Sequence, residues 1–202
     1  MYKTKIKFTK NELRRQKEAL GRFIRFLPVL QLKKQQLQFE IARIDQRIEE
    51  KEREIEAIRH RLEPWIDVFA EEVDFEQFLD IKEVNIEKGN IAGIDITVFK
   101  EVIFEEKEYD YMVTPLWIDE AIEVCKTVMS LEAELSVLKE QRQVLAEELR
   151  ITTQRVNLFE KVKIPQTKEN IRRINIYLGD LQTAEVVRGK IAKAKIYQTR
   201  NQ

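Results

Sequence analysis

Hydrophobic residues recur every three and four positions along two long stretches of this sequence. In the first stretch, residues 13–65, one heptad frame holds for eight repeats, and thirteen of its sixteen inner positions are apolar or aromatic. Such a repeat is typical of a helix that packs along another helix in a coiled coil. The inner positions are Leu13, Gln16, Leu20, Phe23, Leu27, Leu30, Lys34, Leu37, Ile41, Ile44, Ile48, Lys51, Ile55, Ile58, Leu62 and Trp65.

Thr9 and Glu12 predict where this first helix begins. They form a capping-box pattern, in which the Thr9 hydroxyl accepts the backbone N–H of Glu12 and the Glu12 carboxylate reaches back to the cap. Pro28 lies inside the predicted helix. Because proline removes an intrahelical hydrogen bond, we expect it to bend or break the helix.

The second stretch begins at Thr114 and Pro115, which predict a helix start with threonine as the cap and proline at the first helical position. Eleven of the thirteen inner positions between 117 and 159 are apolar. Pro165 then predicts a kink or a short break, after which the apolar spacing resumes. At 1.5 Å per residue, the two stretches span roughly 80 and 75 Å, so we expect them to pair as an antiparallel hairpin.

Residues 66–113, between the two stretches, have a different pattern. Alternating segments such as residues 94–98 predict short strands, and Gly89 and Gly93 are typical of turns. We therefore predict a mainly α protein: a long antiparallel two-helix coiled coil with a small β-hairpin-containing tip region. Its three parts are an N-terminal coiled-coil helix (1–65), the tip region (66–113) and a C-terminal coiled-coil helix (114–202) kinked near Pro165.

Charged residues at inner positions allow an estimate of the pairing register. If Trp65 lies opposite Trp117, facing residues have numbers that add to about 182. Alternatively, the long charged side chains extend from the seam into water. The register predicts three contacts: Lys34 with Glu148, Glu40 with Arg142, and Lys51 with Glu132.

The charge distribution narrows the classes of function. Thirty-six Lys and Arg balance thirty-six Asp and Glu, so the chain lacks the overall basic character of a dedicated nucleic-acid-binding protein. Locally, residues 1–25 carry nine basic residues against two acidic ones, and residues 67–110 carry fourteen acidic against four basic ones. The single cysteine, the absence of a signal sequence and the absence of a long apolar run predict a cytoplasmic protein without membrane insertion.

No motif indicates catalysis or ligand binding. The five glycines form no phosphate-binding loop, and His60, the one histidine, lies at an outer heptad position without metal-ligand spacing. Carboxylate pairs such as Glu105 and Glu106 are typical of solvated charges. We predict no catalytic residue, cofactor or metal site. Trp65 and Trp117 could bind a partner, but their heptad positions favour packing against each other or against the hairpin.

Residues 147–165 carry a more specific pattern, EELRITTQRVNLFEKVKIP. This segment resembles the signature of the C-terminal helix in the D-subunit family of V/A-type rotary ATPases. Residues 9–17, TKNELRRQK, and 30–37, LQLKKQQL, are similar to the N-terminal helix of that family. The order of elements also fits, so the resemblance covers nearly the whole chain, although the middle segment matches only loosely.

The resemblance implies a non-catalytic rotor shaft that couples ATP hydrolysis or synthesis to ion transport. In this family, the paired terminal helices enter the hexamer of catalytic A and B subunits, the other end binds the small F subunit, and the shaft rests on the subunit that docks onto the membrane ring. We expect apolar contacts to the hexamer, or to residues 1–12, at Ile171, Ile174, Leu178 and Leu181. We expect contacts to the F subunit at Glu71, Glu72, Asp74 and Glu76.

Two other classes of function are compatible with a coiled coil. A free-standing scaffold or tether would explain the heptads, but not the pattern at residues 152–165. A basic coiled coil that binds nucleic acid would show a steep salt dependence, which the neutral overall charge does not favour.

Overall fold

The structure, a computed structural model, describes residues 6–63, 78–107, 114, 115 and 117–200. Its elements are helix α1 (Lys10–Leu62), strand β1 (Leu79–Ile91), strand β2 (Ile94–Glu106), helix α2 (Ile118–Asn157), a π-helical segment (Leu158–Lys163) and helix α3 (Ile164–Arg200). The predicted fold class, mainly α with a small β-hairpin, is confirmed. The chain divides into two compact units. We call Met1–Leu32 with Thr152–Gln202 the terminal unit, and Lys33–Ile151 the central unit.

Helix α1 begins where the capping pattern predicts. The backbone N–H of Glu12 donates to Thr9 Oγ1 at 3.2 Å, which confirms the threonine half of the capping box. The glutamate half is wrong, because the Thr9 N–H donates to the Lys7 carbonyl and the Glu12 carboxylate accepts from Gln16. Pro28 does not break the helix, which continues through it. A long helix tolerates one lost hydrogen bond when its inner face is packed along its length.

Burial follows the predicted heptads. Every described inner position of α1 is buried or partly buried, and Leu37 is fully inaccessible to solvent. In α2, Leu138 and Leu145 are buried to the same degree. The apolar seam is therefore the core of the helix pair, as the periodicity indicates.

Helix α2 begins at Ile118, so the predicted start at Thr114 and Pro115 is wrong. The N–H of Ile118 donates to the Pro115 carbonyl, and the N–H of Ala121 donates to the Trp117 carbonyl, both at 3.1 Å. Pro115 thus lies in a turn before the helix. A proline can occupy that turn because its carbonyl is used and no N–H is needed.

Strands β1 and β2 are 13 residues each, longer than the short strands predicted. They pair antiparallel from Leu79 opposite Glu106 to Ile91 opposite Ile94. At the turn, Ala92 and Gly93 both have positive φ, 53° and 78°, as a two-residue hairpin turn with the right-handed twist requires.

The hairpin forms a third layer over the helix pair of the central unit. Close to its turn, Ile96 lies in one buried cluster with Leu37, Ile44, Ile48, Leu138 and Leu145. At its base, Leu79 lies in a second cluster with Phe78, Ile118 and Ile122. Trp117 packs against the second cluster, which confirms the packing interpretation for this tryptophan, whereas Trp65 lies outside the described residues.

Ion pairs between α1 and α2 show the register of the central unit. The antiparallel direction is confirmed, but the three predicted partners are wrong. In each pair one predicted residue is retained, namely Glu148, Arg142 or Lys51, and its partner on the facing helix differs from the predicted one, because long charged side chains can reach several positions beside the seam. The observed pairs are Lys33–Glu148 at 3.0 Å, Arg142–Asp45 at 2.5 Å and Lys51–Glu134 at 3.3 Å.

In the terminal unit, the first part of α1 also pairs antiparallel with the end of the chain. The rings of Phe23 and Phe159 have centroids 5.1 Å apart, and those of Phe8 and Tyr177 are equally close. Between these two contacts, the Asn170 amide donates to Gln16 at 3.4 Å.

Pro165 does not break the helical path, so a short break, one of the two predicted alternatives, is excluded and the predicted kink stays a prediction. The π-helical segment Leu158–Lys163 precedes it, and the N–H of Ile164 donates to the Phe159 carbonyl. The wider π turn shifts the hydrogen-bond pattern just before Pro165, which lacks a donor and is the second residue of α3.

Candidate partner-binding surfaces

The four apolar residues predicted to contact a partner lie on α3, but the structure places them in different environments. Ile174 is 0% exposed, so its own chain covers it. Ile171 and Leu178 are partly buried. Leu181 is 41% exposed. Leu181 is therefore the one of the four that is exposed, and the other three are wholly or partly covered by their own chain.

The part of α3 that packs against the rest of the chain ends near Tyr177. This residue contacts Phe8, close to the start of the described chain. From position 179 to position 197 every residue is exposed. This last part of α3, residues 179–197, is called the free end below.

The free end carries large apolar side chains on all its sides. A helix turns about 100° per residue, so the positions concerned distribute around the whole circumference. A helix that lies on a flat surface has one apolar face, whereas a helix that is apolar all round is enclosed by its surroundings. The exposed apolar residues are Leu181, Val186, Val187, Ile191, Ile196 and Tyr197.

Charge separates the two units. The terminal unit has twenty Lys and Arg against six Asp and Glu, a net charge of +14. The central unit has sixteen against thirty, a net charge of −14. Basic residues of the free end, Arg188, Lys190 and Lys193, alternate with its apolar ones. A partner of the terminal unit should therefore be acidic or neutral.

The four acidic residues predicted to contact a partner, Glu71, Glu72, Asp74 and Glu76, lie outside the described residues. They belong to the sequence of the acidic central unit. Their role as a contact for a partner stays a prediction.

The central unit has an open groove of about 530 Å³ beside α2. Its walls include Ile94 at the hairpin turn, Val144, and the acidic residues Glu147 and Glu148. A hydrogen bond from Arg150 holds the pKa of Glu147 below its ordinary value, and Glu148 is paired with Lys33. The lowered pKa favours the charged form of Glu147, so this carboxylate is unsuited to proton transfer at neutral pH.

The pKa shifts of Lys51 and Lys126 also favour the form of the side chain that is ordinary at neutral pH, here the charged form. A hydrogen bond to Glu54 raises the pKa of Lys51, although partial burial opposes the shift. Hydrogen bonds to Glu106 and Glu123 raise the pKa of Lys126. Shifts in this direction indicate structural ion pairs rather than an acid–base site.

Within the described parts of the chain, no group of histidine, cysteine and acidic residues is arranged to hold a metal ion. His60 is exposed and lies 3.3 Å from Glu63 and 3.8 Å from Glu56. None of the helices, as far as their residues are described, has the length and apolar character of a membrane span.

Two features of the central unit are not among the sequence predictions. Gln141 is 5% exposed and donates to the Thr97 carbonyl, which ties α2 to β2. Phe39 is 68% exposed on the outer side of α1. The heptad frame could have revealed Phe39, because it puts an aromatic residue at an outer position. No sequence signal indicates that Gln141 binds the hairpin.

Comparison with known proteins connects this arrangement to a family. The model of the family described as the D subunit of ATP synthase matches residues 12–194. The chain belongs to the ATP synthase D-subunit family. The match includes both helices of the seam, the hairpin and most of the free end.

Individual relatives agree over almost their full length. A V-type ATP synthase D subunit from Borreliella burgdorferi is 48% identical over 193 residues, which cover 96% of this chain and 96% of the relative. Proteins of the same description from Chlamydia felis and Chlamydia caviae are 35% and 33% identical, over 98% of this chain and 97% of each relative. Membership in this family makes the chain one component of a rotary ATPase complex, and its exposed surfaces are candidates for contacts between subunits.

Proposed function

We propose that the chain is the non-catalytic central-stalk component, or rotor shaft, of a V/A-type rotary ATPase. It couples ATP hydrolysis or synthesis in a hexamer of A and B subunits to ion transport across a membrane. The observation that carries this proposal is the free end of α3, which is exposed and carries apolar side chains, interleaved with charged ones, on all its sides. These apolar side chains all leave water only when a partner surrounds the helix, as the central opening of a hexamer would.

The charges of the terminal unit support the same proposal. Exposed apolar side chains alone would make the free end adhere to many surfaces. Interleaved lysines and arginines keep it hydrated before assembly and direct it toward an acidic or neutral opening. Only a few of its contacts can then be strong, which suits a shaft that has to turn inside its partner.

Deleting residues 180–202 tests the proposal. The deletion removes nearly all of the free end but keeps Ile174 and the contact between Phe8 and Tyr177. We expect the remaining residues of the shortened chain to keep their helical structure and the chain to keep its melting temperature, while hexamer binding and coupled ATPase activity fall at least tenfold. A cut after Ile164 would be less informative, because it also removes the buried Ile174 and exposes the seam. Full coupling without residues 180–202 would contradict the proposal.

Two matched variants separate the apolar from the electrostatic contribution. One replaces Leu181, Val187 and Ile191 by Gln, and the other replaces Arg188, Lys190 and Lys193 by Gln. We expect the first to weaken binding to the A and B hexamer at all salt concentrations. The second should slow association mainly at low salt, because screening weakens long-range attraction.

Co-purification distinguishes the rotor from the alternative of a free-standing scaffold or tether. Recovery of the intact chain with two large ATPase subunits and one small one supports the rotor. Recovery as a lone homodimer supports the tether. Cytoplasmic location, peripheral to the membrane, follows from the rotor proposal and is tested by the same purification from membrane and soluble fractions.

The acidic residues that precede the hairpin in the sequence, Glu71, Glu72, Asp74 and Glu76, are proposed to contact the small F subunit. The net charge of −14 on the central unit supports this, because it favours a basic or neutral partner. Charge reversal at Glu71, Glu72, Asp74 and Glu76 should slow the association of the F subunit at low salt. An unchanged rate would refute this contact, while leaving the rotor proposal intact.

A further inference from the structure

The groove of about 530 Å³ beside α2 offers negative charge and apolar contact area together, and it is called the acidic groove below. None of the described residues that line it is basic, and Val144 in its wall is 40% exposed. Glu147 is paired with Arg150 of the same helix in an exposed contact, and no described residue forms an ion pair with Glu140. Exposed pairs contribute little, so both carboxylates are accessible to an external cation.

A second groove of the central unit, of about 790 Å³, is lined by α1 and α2 and carries a different charge pattern. Its cations face its acids: Arg142 is paired with Asp45, and the Lys139 ammonium lies 2.8 Å from the Glu52 carboxylate. Charges that are paired within the chain attract an external partner weakly. The acidic groove is therefore the one of these two that attracts a cationic partner.

Four residues that line the acidic groove form one stripe of α2. They are spaced by four, three and four positions, so they lie on the same side of the helix. Acidic and apolar residues alternate along the stripe: Glu140, Val144, Glu147 and Ile151. A stripe with this spacing packs along a second helix, as the inner positions of a coiled coil do. The fitting occupant is a helix on which basic and apolar residues alternate at the same spacing.

The free end of α3 has this complementary stripe. Ala184, Arg188, Ile191 and Lys195 are also spaced by four, three and four positions, and all four are exposed. Laid antiparallel to α2, the stripe brings two cations to the two acids and two apolar residues to the two apolar ones. The facing pairs are Lys195 with Glu140, Ile191 with Val144, Arg188 with Glu147 and Ala184 with Ile151.

The opposite direction would not fit, because each cation of the free end would then face an apolar residue and each acid of the groove would too. The exposed apolar residues of α1 in the terminal unit also fit less well. Phe26 and Val29 are 53% and 61% exposed, with Arg22 and Lys33 at the matching spacing on either side of them. This order gives only two complementary pairs out of four in either direction. The alternating order of the free end selects one occupant and one direction.

We propose that a second copy of the chain occupies the acidic groove, with its free end antiparallel to α2, when the chain has no other partner. The net charges of +14 on the terminal unit and −14 on the central unit attract different units of two copies to each other. The contact removes Ile191 and Val144 from water. It concerns the chain by itself, so it does not depend on the proposed function.

Sedimentation velocity of the purified full chain, produced without ATPase subunits, tests the proposal. The wild-type chain should sediment as more than one copy at low salt and as a single copy at high salt, because ions screen the charge pairs. The groove variant, Glu140→Lys with Glu147→Lys, should weaken self-association at least tenfold. The end variant, Arg188→Glu with Lys195→Glu, should do the same.

Mixing the two variants provides the sharpest result. Each variant alone brings like charges together, but in the mixture every free end meets a groove of opposite charge on the other variant, so self-association should return. The control is Glu49→Lys with Glu56→Lys, which makes the same change of charge at the same spacing on α1. These two acids are also in exposed pairs within their helix. The control should stay within about threefold of the wild type.

Disulfide formation between separate chains tests the direction of the contact. In a Cys125→Ser background, a chain with Val144→Cys is mixed with a chain carrying either Ile191→Cys or, as the control, Val186→Cys. Val186 is 59% exposed, similar to the 53% of Ile191, but it lies on the other side of the free end. We expect the disulfide with position 191 to form at least tenfold faster than the one with position 186.

Several results would overturn the proposal: a single copy at low salt, equal weakening by the control, no association in the mixture, or equal disulfide formation from positions 186 and 191. The end variant changes only exposed residues of the free end, so it tests the contact even if the groove variant does not fold. All these results leave co-purification of the wild-type chain with the A and B subunits unchanged, whereas failure of the proposed function is seen as loss of that co-purification.

Discussion

The terminal and central units each contain an antiparallel helix pair, but the two pairs differ in what surrounds them. In the central unit, the hairpin covers the seam with Ile96, and Gln141 fixes the hairpin to α2. Ion pairs such as Lys33–Glu148 and Lys51–Glu134 flank the helices. In the terminal unit, the seam includes the buried Thr152, and a π-helical segment lies in the pairing region.

This difference indicates a division of roles between the two units. The central unit has a three-layered core and carries the acidic surface. The terminal unit has a two-helix seam, a net charge of +14 and a free end that its own chain does not cover. We infer that the central unit is stable by itself, while the terminal unit gains much of its stability from the partner that it binds.

The largest loss of stability should come from replacing a buried seam residue by alanine, at one matched site in each unit. Leu145 and Ile174 are both 0% exposed. Leu145→Ala should destabilise the chain by about 3–4 kcal/mol, because the hairpin holds the surrounding cluster in place around the cavity. Ile174→Ala should cost about 2 kcal/mol, since two helices without a third layer can move together and fill part of the space. Urea unfolding followed by circular dichroism measures both values.

Amide hydrogen exchange gives the matching control, because it resolves the two units separately. The amides of residues 138–149 should exchange more slowly than those of residues 168–178 in the wild-type chain. Equal exchange rates, or a larger loss of stability for Ile174→Ala than for Leu145→Ala, would contradict the difference between the units.

A charge reversal should have the next largest effect. Glu134 accepts from Arg47 at 3.1 Å and lies 3.3 Å from Lys51, and its side chain is 19% exposed. Glu134→Lys places three cations together and should lower the free energy of unfolding by about 1 kcal/mol. Glu169→Lys in the terminal unit removes an exposed pair with Arg172 and a weaker attraction to Arg173, so its melting temperature should stay close to that of the wild type. If the two variants lose equally little stability, the two units do not differ in how much their ion pairs contribute.

The seam itself was predictable from the sequence because burial there depends on one period, and the inner positions from Leu13 to Leu62 repeat it strictly. The antiparallel direction followed from the similar lengths of the two apolar stretches. The individual ion-pair partners did not follow, because Lys33 and Lys34 are one residue apart and only the three-dimensional register selects Lys33.

The packing of the hairpin on the helices was not predictable for a different reason. The contact of Gln141 with Thr97 joins residues that are far apart in sequence, and glutamine is common at solvated positions as well. For the candidate site, the apolar spacing correctly drew attention to α3. It could not show that Ile174 is covered by its own chain while Leu181 is exposed, since both fit the same spacing.

The third prediction concerns two buried threonines of the terminal unit. Thr152 is 1% exposed, and no described residue forms a hydrogen bond with its hydroxyl. Thr167 is 5% exposed, and its hydroxyl donates to the Lys163 carbonyl at 2.6 Å. Thr152→Val should raise the free energy of unfolding by about 1 kcal/mol, because valine has the same shape without a polar group to desolvate.

Thr167→Val is the matched control, and it should be neutral or lower the stability by up to about 1 kcal/mol, because it removes a hydrogen bond that exists. Thermal melts of the two variants test the pair. A loss of stability for Thr152→Val would show that its hydroxyl has a role in the seam, and the terminal unit would then be better packed than we infer.

The smallest predicted effect is a change in the reaction rate of the Cys125 thiol. This rate indicates whether the base of the hairpin covers α2. Cys125 packs against the cluster of Phe78, Leu79, Ile118 and Ile122, and burial raises the pKa of its thiol. Only the thiolate reacts with iodoacetamide, so a raised pKa lowers the reactive fraction at about pH 7.5 and moves the rise of the rate to higher pH. The folded chain should therefore react more slowly than the urea-unfolded chain.

As a control, a cysteine at the exposed Ala146 in a Cys125→Ser background should react at nearly the same rate in both states. Equal rates for Cys125 in the folded and unfolded chain would mean that the hairpin base opens readily, and the three-layered description of the central unit would then hold only near the turn.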